Sequence, residues 1–244
     1  ESSDRMYSGD LEKWQKFANS LKFRCLMRIS NKTSSKINIT QQLQEIVTSR
    51  NIFTSNDDEA KFVFGSAQPA ANPVYETVDY GGRIEFRMNS SLVNKMKSLN
   101  NDPRLPVFAQ FNTSSQYVGK PTDGSSFLED DISKIGLIYL KPQAPAYFIT
   151  YSQLQFLLAE ARQRNLISTG NAEDYYYNGI ESSFLANGLT SSNYNAYKLL
   201  GSIDFIPANG LTQIRTQEWI SLFGQGVEAW TEWRRTKTPL LSPV

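Results

Sequence analysis

Apolar residues return at three- and four-residue steps in several stretches of the chain, and each such stretch predicts a helix. Over 10–29, Leu11, Trp14, Phe17, Ala18, Leu21 and Cys25 make one stripe, with Lys13, Lys16, Lys22 and Arg24 mostly off it. Asp10 is placed to cap this helix by accepting a backbone N–H. Its position on the stripe predicts Cys25 to be a buried small hydrophobe. Residues 40–50 form a shorter helix with Leu43, Ile46 and Val47 on one side. Helical order returns at Thr150, which has capping-box spacing to Gln153. Tyr151, Leu154, Leu157, Leu158 and Ala161 follow at helical steps over 151–167. Asn171 caps the next helix, over 171–187, which carries Tyr176, Ile180 and Phe184 and ends at a left-handed stop, Asn187-Gly188. A last helix over 211–235 carries Leu211, Ile214, Trp219, Leu222, Phe223, Trp230 and Trp233. Trp14, Leu21, Leu157, Phe184, Trp219 and Phe223 are predicted to be buried.

Between 52 and 145 the periodicity fails. Asn72-Pro73, Gly81-Gly82, Asp102-Pro103, Gly119-Lys120-Pro121 and Asp123-Gly124 punctuate the backbone. Lys61–Phe64 suits a short strand and 89–99 a helix capped by Asn89 or Ser90, while 65–88 is expected to be mostly irregular. A long ordered loop of this sort is often functional. The helices over 151–167 and 171–187 make an αα-hairpin. Ala161, Ala172, Tyr176 and Gly179 resemble a tetratricopeptide unit, which sets small residues where helices touch.

Composition removes several chemistries. The 244 residues carry 25 Lys+Arg, 24 Asp+Glu, one Cys and no His. Without His there is no Ser-His-Asp or Cys-His arrangement and no His-bearing metal site. One Cys allows neither an internal disulfide nor a cysteine cluster. A net charge of +1 leaves no electrostatic footprint for nucleic acid. No phosphate-binding glycine motif occurs, so no cofactor is expected. Asp57-Asp58-Glu59 and Glu129-Asp130-Asp131 are the carboxylate clusters. Glycoside hydrolysis needs two carboxyls roughly 5–9.5 Å apart with one raised in pKa, and neighbouring loop carboxylates usually point into water. Asp123, Glu129, Asp130 and Asp131 offer hard oxygens to Ca²⁺ but lack EF-hand spacing. An enzyme is therefore not expected, and no metal site is assigned.

Four motifs together resemble the SusD/RagB-like family: GDLEKWQKFANSLKFRCLMRIS, YFITYSQLQFLLAEARQRNLI, NAEDYYYNGIESSF and LTQIRTQEWISLFGQGVEAWTEWRRTKTPLL. NPVYE and SLNNDPRLPVFA fit the same branch. The resemblance spans nearly the whole chain. It implies a mainly α fold in which tetratricopeptide-like helix pairs pack against an irregular, loop-rich half. It implies a non-catalytic lipoprotein of the outer membrane, exposed at the cell surface. Such a protein captures nutrient, commonly a glycan and in some relatives a peptide, and partners a SusC-like TonB-dependent transporter. Contact with the membrane would run only through a lipid anchor that this chain lacks. Residues 1–244 are expected to be a single SusD-like domain, truncated at the N-terminus and at the C-terminus. The Trp and Arg residues of the last motif are expected to be structural, with Glu160 pairing with an arginine of the last helix.

Sugars present apolar C–H faces and rings of hydroxyls, which aromatic platforms with Asn and Arg donors satisfy together. Asn72, Tyr75, Tyr80, Arg83 and Phe86 bring these types to one stretch and are the candidate ligand-binding residues; Phe108, Phe111, Asn112 and Tyr117 follow. A peptide ligand uses the same side chains. The rival readings are a glycan hydrolase and a tetratricopeptide-type interaction scaffold without a small ligand.

Overall fold

The structure is a computed structural model describing residues 3–32 and 36–241. In chain order the helices are α1 (Leu11–Ile29), α2 (Ile39–Ser49), α3 (Ser90–Ser98), α4 (Leu105–Phe108), α5 (Tyr151–Gln163), α6 (Ala172–Ala186), α7 (Ser191–Lys198), α8 (Gly210–Ser221) and α9 (Gly226–Thr236). Two strands, β1 (Ala60–Phe62) and β2 (Ala146–Ile149), pair with each other. The fold is mainly α, as expected. Two compact units are formed. The first draws on Glu1–Phe62, Tyr147–Gly188 and Phe205–Pro239, the second on Val63–Ala146, Leu189–Asp204 and Leu240–Val244.

In the first unit, α5 is buried from Ser152 to Ala161. It packs closely on α6 because Gly179 leaves room for an aromatic ring. A Cβ at Gly179 would lie 2.8 Å from the Phe156 ring, and Ser152 Oγ donates to Gly179 O at 2.7 Å. Thr150 accepts from Gln153 N at 3.1 Å, the first half of the expected capping box. The Gln153 side chain does not complete it; its Nε2 donates to Glu228 at 2.8 Å. Leu157 and Phe184 are fully buried. Leu43, Ile46 and Val47 of α2 join the same core as α1.

α1 faces inward on a different side from the predicted one. Its buried residues are Ser20, Phe23, Leu26 and Met27. Leu11 is 76% exposed, Ala18 and Cys25 are exposed, and Trp14, Phe17 and Leu21 are half-buried. The inward face carries polar groups with interior partners, which hides it from a count of apolar positions. Ser20 Oγ accepts from Phe53 N at 3.1 Å, and Lys16 meets Asp58 at 3.2 Å. The single helix expected over 211–235 is two helices, because Gly224 takes a left-handed φ of +82° between them. Trp219 and Phe223 are half-buried rather than buried.

A chain of alternating charges locks α1, α5, α8 and α9. Glu160 of α5, at 0% exposure, receives both nitrogens of Arg235 at 2.7 and 2.8 Å. Arg215 and Arg164 donate to it at 3.0 and 3.1 Å. Arg235 Nε donates to Glu232 at 2.8 Å, and Arg28 of α1 bridges Glu232 and Glu228 at 2.9 and 2.5 Å. Burial opposes ionisation of Glu160, but the guanidiniums of Arg235 and Arg215 outweigh it and hold the carboxyl at about 2.

The second unit is built mostly without regular pairing. Asn89 caps α3, whose Leu92, Val93 and Met96 are buried. Asn100 and Asn101 then both adopt left-handed backbone, with φ of 57° and 54°. That turn sends Asp102 and Arg104 inward as a pair at 0% exposure, bonded at 2.6 and 3.0 Å. Tyr197 of α7 donates its hydroxyl to Leu99 O at 2.7 Å.

Two predictions follow from the first unit's charges. Glu160→Gln should cost about 3–5 kcal/mol in denaturant unfolding, because it removes the carboxylate shared by Arg235, Arg215 and Arg164 and leaves buried Arg235 with Glu232 alone. Glu59 behaves oppositely with pH. Burial raises its carboxyl from 4.5 to about 7 although it accepts Tyr151 N at 3.1 Å. Its contribution is full below pH 4.5 and is lost as pH rises through 7, a change of about 3 kcal/mol at 1.36 kcal/mol per pH unit. Glu59→Gln should therefore raise the melting temperature at pH 8 and leave it nearly unchanged at pH 4.5. An equal shift at both pH values would count against this assignment.

Candidate functional site

The candidate residues lie in the second unit, and local chemistry explains their placement. Asn72 Oδ1 accepts from Val74 N at 2.7 Å and so starts a helical turn at Pro73. Proline suits that first position because its missing N–H would have no partner there. From Tyr75 to Tyr80 the turn widens into a π turn, a feature frequent at functional sites. Gly81 closes it. A Cβ there would lie 2.7 Å from Thr77 O, and Gly82 follows with a φ of +66°.

The five predicted residues separate into an anchor and two ring groups. Asn72 is buried, and its Nδ2 donates to Ala144 O at 2.8 Å while its backbone N donates to Pro142 O at 2.7 Å. Its side chain thus holds the loop in place. Tyr75 and Tyr80 form one ring pair, with centroids 6.3 Å apart and planes tilted by 44°. Tyr80 is 65% exposed and Tyr75 half-buried. The Arg83 guanidinium sits 5.8 Å from the centroid of the exposed Phe86 ring and also pairs with Glu85. Tyr80 and Phe86 are thus the exposed aromatic side chains among the five.

Of the later aromatics, Phe108 is fully buried and packs edge-on against Tyr139 at 5.9 Å. It belongs to the core of the unit and not to its surface. Phe111 is exposed and stacks on Tyr117. Glu129 accepts from Arg87 Nε at 3.0 Å. Among the described residues, no three His, Cys, Asp or Glu side chains converge as a metal ion would require.

Several features were not read from the sequence. The π turn has no simple sequence period. Trp230 of the first unit is 57% exposed and stacks on Trp233 at 5.2 Å, with Lys237 4.7 Å from the Trp233 ring. Two clefts also open at the surface. One, of about 540 Å³, is lined by Asn195, Lys198, Leu199, Gly201 and Asp204; the other, of about 490 Å³, lies between α2 and the turn after α5. Neither holds an aromatic side chain. Burial and the neighbouring Glu232 carboxylate raise Glu218 well above the ordinary carboxylate value. Glu218 and Glu59 are both enclosed in the helical unit.

Comparison with known proteins assigns the class. The chain belongs to the SusD-like family described as starch-binding and associating with the outer membrane, whose pattern matches residues 1–244. It is similar to the structure of a chitin-binding SusD homologue from Flavobacterium johnsoniae, at 25% identity and a TM-score of 0.82, covering 100% of this chain and 55% of that one. A structure described as a chitin-binding protein matches at 26% identity and a TM-score of 0.83, covering 98% of this chain and 55% of that one. A SusD homologue from Bacteroides fragilis matches at 25% identity and a TM-score of 0.80, covering 97% and 58%. The chain thus spans little more than half the length of these relatives. No curated protein matches it. No helix among the described residues is long and apolar enough to cross a membrane.

The anchor and the rings should respond differently to truncation. Asn72→Ala removes partners from Ala144 O and Val74 N and should lower unfolding stability by about 1–3 kcal/mol. Tyr80→Ala, at an exposed position, should stay within about 0.5 kcal/mol of the parent. Urea titration of the two variants checks both values.

Proposed function

We propose that the protein binds a nutrient glycan without catalysis and passes it to a SusC-like TonB-dependent transporter at the cell surface. Membership of a family described as starch-binding supports the carbohydrate class, and similarity to structures described as chitin-binding agrees with it. The single observation that carries the reading is the exposure of Tyr80, at the end of the π turn, and of Phe86 shortly after it. Asn72 holds the turn that carries Tyr75 and Tyr80. Rings of this kind cover the apolar faces of sugars, while Arg83 supplies donors toward hydroxyls. Association with the outer membrane would place the surface where extracellular glycan arrives, with a lipid anchor holding the protein there.

Calorimetry with chitin and maltose oligosaccharides tests the reading, with products analysed for hydrolysis. Tyr80→Ala and Arg83→Ala should each weaken binding about five- to tenfold, corresponding to roughly 1–1.4 kcal/mol per lost contact. No shortened oligosaccharide should appear. Parent-like affinity in both folded variants, or turnover of the sugar, would refute the proposal.

A further inference from the structure

α1 carries a second apolar face that the core of the helical unit does not use. Its buried residues, Ser20, Phe23, Leu26 and Met27, lie on one side. At about 100° of turn per residue, Leu11, Trp14, Ala18, Leu21 and Cys25 fall on the opposite side. Leu11 is 76% exposed and Ile29, one turn beyond Cys25, 39% exposed. Ala18 and Cys25 are exposed as well, and Trp14 and Leu21 are half-buried. Ring contacts widen the face. Trp14 lies 5.8 Å from Phe17, and Phe17 lies 6.4 Å from Phe148 of β2, which is 51% exposed. Trp14 Nε1 donates to Asp4 at 2.8 Å, so the polar edge of that ring is already satisfied. The stripe does not roll inward, because Arg28 is bonded to Glu232 of α9 at 2.9 Å and fixes the rotation of the helix.

A helix at a surface ordinarily turns charged and polar residues outward. Single exposed apolar side chains need no explanation, but these recur at alternating steps of three and four from Leu11 to Cys25, over about 21 Å of helix. That spacing is the seam one helix offers to another lying alongside at about 20°. Ala18 and Cys25 are small, which lets the neighbour approach closely, and Leu11, Trp14 and Leu21 supply the larger contacts. The solved relatives point to where the neighbour comes from. They overlay nearly all of this chain, yet the match covers only 55% or 58% of their own length. One helix stripe is also small beside the about 800 Å² that each partner buries in a stable complex of separate chains. A helix on the same polypeptide meets it at high effective concentration and needs no such area.

We infer that the Leu11–Cys25 stripe of α1 is an intramolecular docking surface, covered by an amphipathic helix of the same polypeptide that lies outside residues 1–244. α1 is then the middle member of a stack, with the core on one side and the docked helix on the other. The inference concerns assembly of the intact protein and stands apart from the glycan-binding reading.

The test uses the full-length polypeptide. Alkylation of Cys25 by iodoacetamide, followed on its own peptide by mass spectrometry, should be at least about tenfold slower in the native protein than in urea, because the covered thiol reacts only on local opening. The slowing should persist on dilution. Leu11→p-benzoylphenylalanine, a large apolar side chain at an exposed position, should photo-crosslink within one molecule to a peptide outside residues 1–244. Ala18→Glu keeps a good helix former but sets a charge in the seam, and should restore fast alkylation. Alkylation as fast as in urea overturns the inference. So does a Leu11 crosslink to a second copy, with protection lost on dilution, which would assign the stripe to self-association. Crosslinks only to a different protein, only within residues 1–244, or none at all overturn it whatever the alkylation rate. The crosslink keeps the inference falsifiable if Ala18→Glu fails to fold.

Discussion

A single buried carboxylate organises the helical unit. Glu160 sits in the last turn of α5, where water does not reach, and the cost of enclosing its charge is offset only if cations come to it. Arg235 answers with a two-pronged contact, Arg215 approaches from α8, and Arg164 closes from α5 itself. Each of these arginines fixes the helix that bears it, so the rotation of α8 and α9 about their axes follows from the position of one side chain. The charges do not end there. Glu232 and Glu228 carry the alternation to Arg28 and so fix which side of α1 faces inward.

The irregular unit solves the same problem by other means. With few ladders to satisfy its backbone, it relies on short polar side chains bonded to nearby amides and carbonyls. Asn72, Asn89 and Asn112 each accept from a backbone N–H two residues on. Asp102 and Arg104 supply a buried pair at the end of a left-handed asparagine turn. Because such contacts hold the backbone, several aromatic residues are not needed for the core. Tyr80, Phe86 and Phe111 remain at the surface.

Much of this was legible before the structure. The αα-hairpin, its Asn171 cap and its left-handed stop follow from period and capping chemistry, and all are present. The pairing of Glu160 with an arginine of the last helix was also readable, because a carboxylate in an apolar helix needs a cation. The inward face of α1 was not. Its hidden stripe mixes Phe23 and Met27 with Ser20, and the arginines beside it reach charges some two hundred residues away, which periodicity cannot see. The break at Gly224 was missed because apolar spacing continues across it from Phe223 to Trp230. In the loop, composition identified the aromatic-rich stretch but could not tell an anchor from a platform. Asn72 and Tyr80 differ in what surrounds them, and that information exists only after the chain has folded.

The order of the segments along the chain has a consequence for synthesis. The helical unit is discontinuous, with Val63–Ala146 and Leu189–Asp204 emerging between its parts. Arg235 lies 75 residues after Glu160. A nascent chain that has formed α5 and α6 therefore carries this acid with Arg164 beside it, and the remaining cations arrive only when Arg215 and then Arg235 follow. Chains grow at about 5–20 residues per second, so the interval lasts several seconds, far longer than the formation of a helix. Closure of the unit is thereby tied to completion of its last helix, and a chain stopped short of Arg235 would present an unfinished, hydrated seam to the cell's proteases.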